Sequence, residues 1–301
     1  MQREESFSRC ILMYHGKEEQ MKRYIINLTL VITLLIGIAL LLYPSISEYV
    51  NSKTQSQVIE SYAQQIDNMT SEETEKVLEA ARQYNEKLSA TAGAFYNPAL
   101  LDGYYKLLNV SGNGVIGYIG INKIKLELPI YHSVAEQVLQ IATGHLEGSS
   151  LPIGGASTHA VISGHRGLPS AKLFTDLDKL DLGDTFYISV LNQLITYQVD
   201  QIKTVKPTEV QDLQILPGKD YCTLFTCTPY GINTHRLLIR GKRIENDKKQ
   251  SLTYVPNEAF EISPFIVTPI VAAPMLLILL VLLLVSGAKA NRKKNKSNGT
   301  C

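Results

Sequence analysis

"TLFTCTPYGINTHRLLIRG", Thr223–Gly241, holds two alternating runs on either side of a short connection built from Pro, Gly and Asn. Period-two alternation around such turn residues reads as a β-hairpin. On the first run Thr223, Phe225 and Cys227 share one face, and Cys222, Leu224 and Thr226 share the other. On the second, Arg236, Leu238 and Arg240 lie opposite His235, Leu237 and Ile239. If the two runs pair, Cys227 stands beside either His235 or Arg236, and alternation alone does not choose between them.

The same period extends upstream. In "KIKLELPI", Ile124, Leu126, Leu128 and Ile130 alternate with Lys123, Lys125 and Glu127. Further strands are expected at 115–121, 160–164, 185–191, 194–205, 220–227 and 235–244, separated by clusters such as "PIGGAS", "HRGLPSAK" and "KLDLGD". About seven or eight short strands with few helices among them predict a mainly β fold, a closed or nearly closed antiparallel barrel.

Ahead of the barrel the period is helical. Residues 47–90 read as helix, with Thr70 and Glu73 spaced as a capping box and Val77, Ala81, Tyr84 and Leu88 forming one apolar stripe. An earlier helix includes Val58, Ile59, Tyr62 and Ile66. Residues 91–114 lose periodicity and end in the loop "NVSGNG".

The chain has 301 residues, 45% of them hydrophobic, and a net charge of +1, so no global field recruits nucleic acid. Two uncharged apolar runs, 25–43 and 265–288, are long enough to cross a bilayer. Arg3, Arg9, Lys17, Lys22 and Arg23 precede the first run, and Lys289, Arg292, Lys293, Lys294 and Lys296 follow the second. The positive-inside rule then puts both ends in the cytoplasm and residues 44–264 outside. The first run lacks a small-residue cleavage site and is expected to remain as an anchor. Met21, in "MKRY", is the better expected chain start.

Of four cysteines, Cys10 and Cys301 fall in the tails and Cys222 and Cys227 in the outer domain. On one strand the latter two are roughly 16 Å apart, beyond disulfide reach. A thiol kept unpaired outside the cell is either buried or kept for its chemistry. A third candidate lies in "THAVISGHRGLP", where a short strand ends at His165 and Gly and Pro turn residues follow. Cys227 and His165 could form a nucleophile–base pair, and an arginine could stabilise charge developing on an attacked carbonyl. The bland alternatives are a small core cysteine, a surface histidine and a solvated arginine.

These residues carry a resemblance. "TLFTC" matches the sortase signature T-L-x-T-C, and "SGHRG" and "THRLLIRGKR" match the places where sortases keep their catalytic His and Arg. The similarity continues through "LPIYHSVAEQVLQIATGHLEGSSLPIGGASTHAVISGHRGLPSAKLFTDLDKL" and covers about residues 90–245. That long stretch resembles class C sortases, the pilin polymerases of Gram-positive bacteria, and a second membrane span is typical of the class. The resemblance implies a sortase β-barrel of about eight strands with N-terminal helices between two transmembrane helices. It implies Cys227 as nucleophile, His165 as general acid/base and Arg236, rather than His235, as binder of substrate backbone or oxyanion. Thr226 and His159 are candidates for contact with the peptide, and Cys222 is read as core. The implied partners are LPXTG-bearing pilin or surface proteins and a lysine-bearing pilin acceptor, at a membrane.

The expected layout is a tail at 1–24, a span at 25–43 and helices with a lid-region loop at 44–114. The barrel at 115–245, a linker at 246–264, a span at 265–288 and a basic tail at 289–301 complete it. Class C sortases carry an Asp-Pro-aromatic lid over the cysteine. Here the region reads "TAGAFYNPALLDGYYKLLNVSGNG", with no Asp-Pro pair, so a short, mobile or absent lid is expected, with Tyr104 or Tyr105 as alternative covers. No cofactor or metal is expected. "DLDKLDLGD" collects four Asp without the spacing of a calcium loop, no zinc spacing occurs, and His132 and His145 are read as structural.

Three readings compete. The first is a transpeptidase that joins pilins or anchors single proteins to peptidoglycan; a papain-type peptidase, the second, needs its histidine downstream of the cysteine, where little but span and tail remains. The third is a non-catalytic membrane scaffold.

Overall fold

The computed structural model describes residues 2–246, 274, 276–278 and 280. All but five residues of the expected second span, the whole basic tail and all of the linker from 247 on therefore lie outside the described residues.

Helix α1 runs Gln2–Asp67 and holds, within Met21–Asp67, the one stretch among the described residues long and apolar enough to cross a membrane. It continues through Pro44, where the sequence had divided a span from a following helix. A proline removes one donor from the ladder and crowds the carbonyl four residues back, which is why the sequence suggests a boundary there; the helix nonetheless runs on. Helix α2, Ser71–Ala90, starts as its sequence dictates. The Thr70 hydroxyl accepts from the Glu73 amide, and the Glu73 carboxylate accepts from the Thr70 amide. Ala81, Tyr84 and Leu88 of the expected stripe are buried, with Leu78 and Asn85 beside them.

Eight strands follow: β1 Val115–Ile121, β2 Leu126–His132, β3 Thr143–His145, β4 Thr158–Ser163, β5 Thr185–Val190, β6 Gln193–Val205, β7 Asp220–Thr228 and β8 His235–Arg243. They close into a barrel in the order β1-β2-β3-β4-β7-β8-β6-β5. The expected all-antiparallel pairing is corrected in two places. β2 pairs with β3 and β4 pairs with β7 in parallel. Each parallel partner is reached by a crossover, through the short helix α3, Glu136–Leu139, in the first case and through the β5–β6 hairpin in the second. The "KIKLELPI" strand also starts later than alternation indicates, because Asn122–Ile124 form a 3-10 turn and Lys125 is left-handed at φ 48°.

Inward residues fill the barrel: Ile119, Leu128, Ile130, Ile162, Phe186, Ile188, Tyr197, Cys222, Leu224 and Ile239 are buried in one cluster. A Cβ on Gly241 would come within 2.6 Å of the Phe186 ring, so only glycine lets these rings occupy the interior. The helices are bolted to the barrel by polar groups. The Tyr62 hydroxyl donates to the Ile116 carbonyl and accepts from the Leu191 amide, and Asn85 bonds both backbone groups of Leu151.

Candidate active site

The register of three neighbouring strands assembles the site. β7 and β8 pair antiparallel with Cys227 opposite Arg236 and Thr228 opposite His235. On the other side, β4 pairs with β7 up to Ser163 opposite Phe225, and the Gly164 amide continues the ladder by donating to the Phe225 carbonyl. Two residues beyond that pair, on their respective chains, come His165 and Cys227. His165, Cys227 and Arg236 thus stand abreast across adjacent chains, with successive chains roughly 4.8 Å apart. Alternation turns Leu224 and Thr226 inward, so Phe225 and Cys227 face outward, away from the filled interior.

Each member has a distinct setting. Cys227 is a free thiol at intermediate exposure, whereas Cys222 is a free thiol fully buried. Burial pushes the Cys222 thiol well up, which keeps it neutral and inert. The His165 side chain is 27% exposed, and its Nε2 lies 3.6 Å from a Glu136 carboxylate oxygen of α3. That nitrogen is buried and makes no hydrogen bond among the described residues. Gly164 fixes the approach to His165: a Cβ there would sit 2.8 Å from the Phe174 ring, and the Phe174 amide donates to the His165 carbonyl. Arg236 is held at one end of its fork, Nη1 donating to the carbonyls of Asn233 and His235 at 3.1 Å each.

Beside this line runs an apolar strip on the outer barrel face. Val161, Leu213 and Leu238 are its buried floor, with Phe225, Val205 and Phe95 packed against them. Val205 pairs with Arg236 on β6, so the strip begins next to the arginine.

The two expected peptide contacts are placed differently. Thr226 is 1% exposed, and its hydroxyl donates to the Gly164 carbonyl at 2.7 Å, tying the cysteine strand to the turn that carries His165. His159 is 1% exposed, with one ring nitrogen donating to the Gln214 carbonyl and the other accepting from the Thr223 hydroxyl. Burial lowers its pKa to about 4, so it is neutral. Both are inaccessible to a peptide; they hold the strands that carry the site. Tyr104 is likewise buried, donating to His145 Nδ1, and Tyr105 donates to Glu147; the contacts of both tyrosines are away from Cys227. It is Phe95, earlier in the same segment, that reaches the outer face near the site, and the neighbouring Tyr96 hydroxyl accepts from Gln214. Sequence reasoning also gave no role to Glu136 or Arg166; neither belongs to a periodic pattern that would mark it. Among the described residues, no group of three or more His, Cys, Asp or Glu could hold a metal ion.

A half-buried thiol paired across the ladder with an arginine, and a histidine two residues past the end of the β4–β7 pairing, are the residue types that acyl transfer by a cysteine enzyme uses. Residues 119–244 match the model of the sortase domain. The chain belongs to the sortase family, a family of cysteine transpeptidases. Its fold is similar to the crystal structure of sortase C1 from Streptococcus agalactiae, at 49% identity and TM-score 0.58, covering 64% of this chain and all of that one. Sortase C-1 from Streptococcus pneumoniae is similar at 43% identity, with the same TM-score and the same coverage. Sortase A of Streptococcus agalactiae serotype III is 32% identical over 117 residues, 38% of this chain, and the match spans only 47% of that relative's own length.

Proposed function

We propose that the protein is a membrane-anchored transpeptidase of pilus assembly that cleaves an LPXTG-like sorting signal between Thr and Gly. The Cys227 sulfur attacks the threonine carbonyl, the Thr–Gly C–N bond breaks, and His165 delivers the proton that the glycine amine needs to leave. Arg236 steadies the oxygen that carries negative charge in the tetrahedral intermediate. A lysine amine of a pilin subunit then attacks the thioester, forming an isopeptide bond and returning the thiol. His165 accepts the amine proton in this half.

The observation that supports this best is the shared level of His165, Cys227 and Arg236 on the outward face, next to an apolar strip suited to the Leu and Pro of such a signal. The likeness to two C-type sortases favours a protein lysine as acceptor. The apolar stretch in α1 supports anchoring, and the basic residues ahead of it favour a barrel outside the cell. Full-length protein in detergent, given an LPXTG peptide and either a lysine-bearing pilin peptide or a peptidoglycan amine, tests the acceptor. Isopeptide product with lysine alone is expected. Product only with the peptidoglycan amine would assign the enzyme to wall anchoring instead.

A further inference from the structure

Arg166 follows His165 directly, and its side chain is only 8% exposed. A buried guanidinium has to satisfy its donors, and this one does so on three residues from two separate stretches of chain. Nε donates to the Thr175 carbonyl at 3.2 Å, Nη1 donates to the Thr228 hydroxyl at 3.3 Å, and Nη2 is paired with the Asp178 carboxylate. The guanidinium carbon also lies 5.9 Å from the centre of the Tyr230 ring, in the β7–β8 connection.

The partners are what make the arrangement informative. Thr228 is the residue after Cys227, and Arg166 is the residue after His165. The side chain therefore joins the two reacting residues one position beyond each, on the side opposite the Thr226–Gly164 bond. Thr175 and Asp178 come from the segment that packs behind His165, where Phe174 donates to the His165 carbonyl. Gly167 completes the bracket. It is left-handed at φ 78°, its amide donates to the Thr175 hydroxyl, and an added Cβ would lie 3.1 Å from the Tyr230 ring.

We propose that Arg166 is a positioning residue that sets the distance between the His165 imidazole and the Cys227 thiol, without touching substrate. The inference rests on the reading of His165 and Cys227 as the reacting pair. A lysine cannot replace it, because a single ammonium lacks the planar fork that reaches three acceptors in three directions. Neutralisation by Asp178 leaves little net charge for Arg166 to exert on the thiol, so its effect is geometric. Loss of alignment by about 1 Å can cost on the order of 100-fold in rate.

The test measures kcat and KM for an LPXTG peptide, and the pH dependence of Cys227 alkylation by iodoacetamide, in full-length protein. Arg166→Ala and Arg166→Lys are expected to lower kcat by roughly 10–100-fold with KM nearly unchanged. The inflection in the alkylation profile that depends on His165 is expected to shift or vanish in both. Millimolar methylguanidinium is expected to restore part of the rate to Arg166→Ala and none to Arg166→Lys. Should Arg166→Ala not fold, Thr228→Val removes one arm of the bracket alone, and a smaller kcat loss with the same altered alkylation profile is expected. Wild-type kcat and profile in folded Arg166→Lys or in Thr228→Val would overturn the proposal. Activity retained by Cys227→Ala or His165→Ala would instead sink the assignment of the reacting pair on which it rests.

Discussion

Thr226→Val replaces a buried hydroxyl by a methyl group of nearly the same shape. In the native protein that hydroxyl donates to the Gly164 carbonyl at 2.7 Å, in a position 1% exposed. The substitution leaves the carbonyl buried without that donor and places no new bulk in the barrel. Leaving one buried neutral group short of its partner costs roughly 1–3 kcal/mol. For a folded unit of this size each kcal/mol moves the midpoint by about 2–4 °C, so a fall of roughly 2–12 °C is expected. Thr226→Ser keeps the donor and should hold kcat near wild type. Because Gly164 carries His165, Thr226→Val should also lower kcat while KM stays nearly constant. Thermal unfolding of the detergent-solubilised chain, followed by near-UV circular dichroism, gives the midpoint, and peptide cleavage gives kcat and KM. An unchanged midpoint with a raised KM would refute the reasoning, because it would make Thr226 a peptide contact after all.

The remaining predictions address the buried histidines, the barrel interior and the apolar strip. His159 is held near pKa 4 chiefly by burial, so the folded state binds its proton later than the unfolded chain does. Its contribution is complete above about pH 6.5 and is lost as pH falls from there toward 4, so the urea midpoint should drop across that window, with a shallower slope in His159→Gln. Gly241→Ala places a methyl group 2.6 Å from the Phe186 ring and 2.7 Å from Tyr197 Cβ, and overpacking of about 1–3 kcal/mol should appear as a lower urea midpoint. Leu238→Asp puts a charge on the floor of the strip next to Phe225, and should raise KM for an LPXTG peptide more than for a peptide with polar residues in place of Leu and Pro. Equal effects on the two peptides would count against the strip as their docking surface.

Local signals in the sequence were read correctly because their causes are local. The Thr70–Glu73 box is made by residues three apart, and both of its bonds are present. Alternation on β7 and β8 separated the Cys227 face from the Cys222 face, which burial bears out. Pairing could not be read the same way. Whether Cys227 meets Arg236 or His235 depends on register between strands, and alternation is satisfied by either; the family motif favoured Arg236, and the ladder has it there. Parallel pairing of β4 with β7 brings together residues some sixty positions apart, and no spacing within either strand announces it. β3 has three residues, Thr143–His145, too few to establish a period. Thr226 and His159 were candidates for contact with the peptide, His159 because it stands at the start of the short strand that leads to His165. Their polar atoms were claimed by backbone and side-chain partners from other segments, which only the tertiary fold supplies. Arg166 was passed over for the same reason, since its three acceptors lie 9 to 62 residues away.

The central claim is that Cys227 is the thiol that takes the acyl group. Full-length protein mixed with an LPXTG peptide, quenched in acid and digested for mass spectrometry, measures it directly. The expected result is the Leu-Pro-X-Thr acyl group on the peptide that contains Cys227, release of the glycine-led fragment, and loss of both in Cys227→Ala. An acyl group on Cys222, or cleavage that persists in Cys227→Ala, would contradict it.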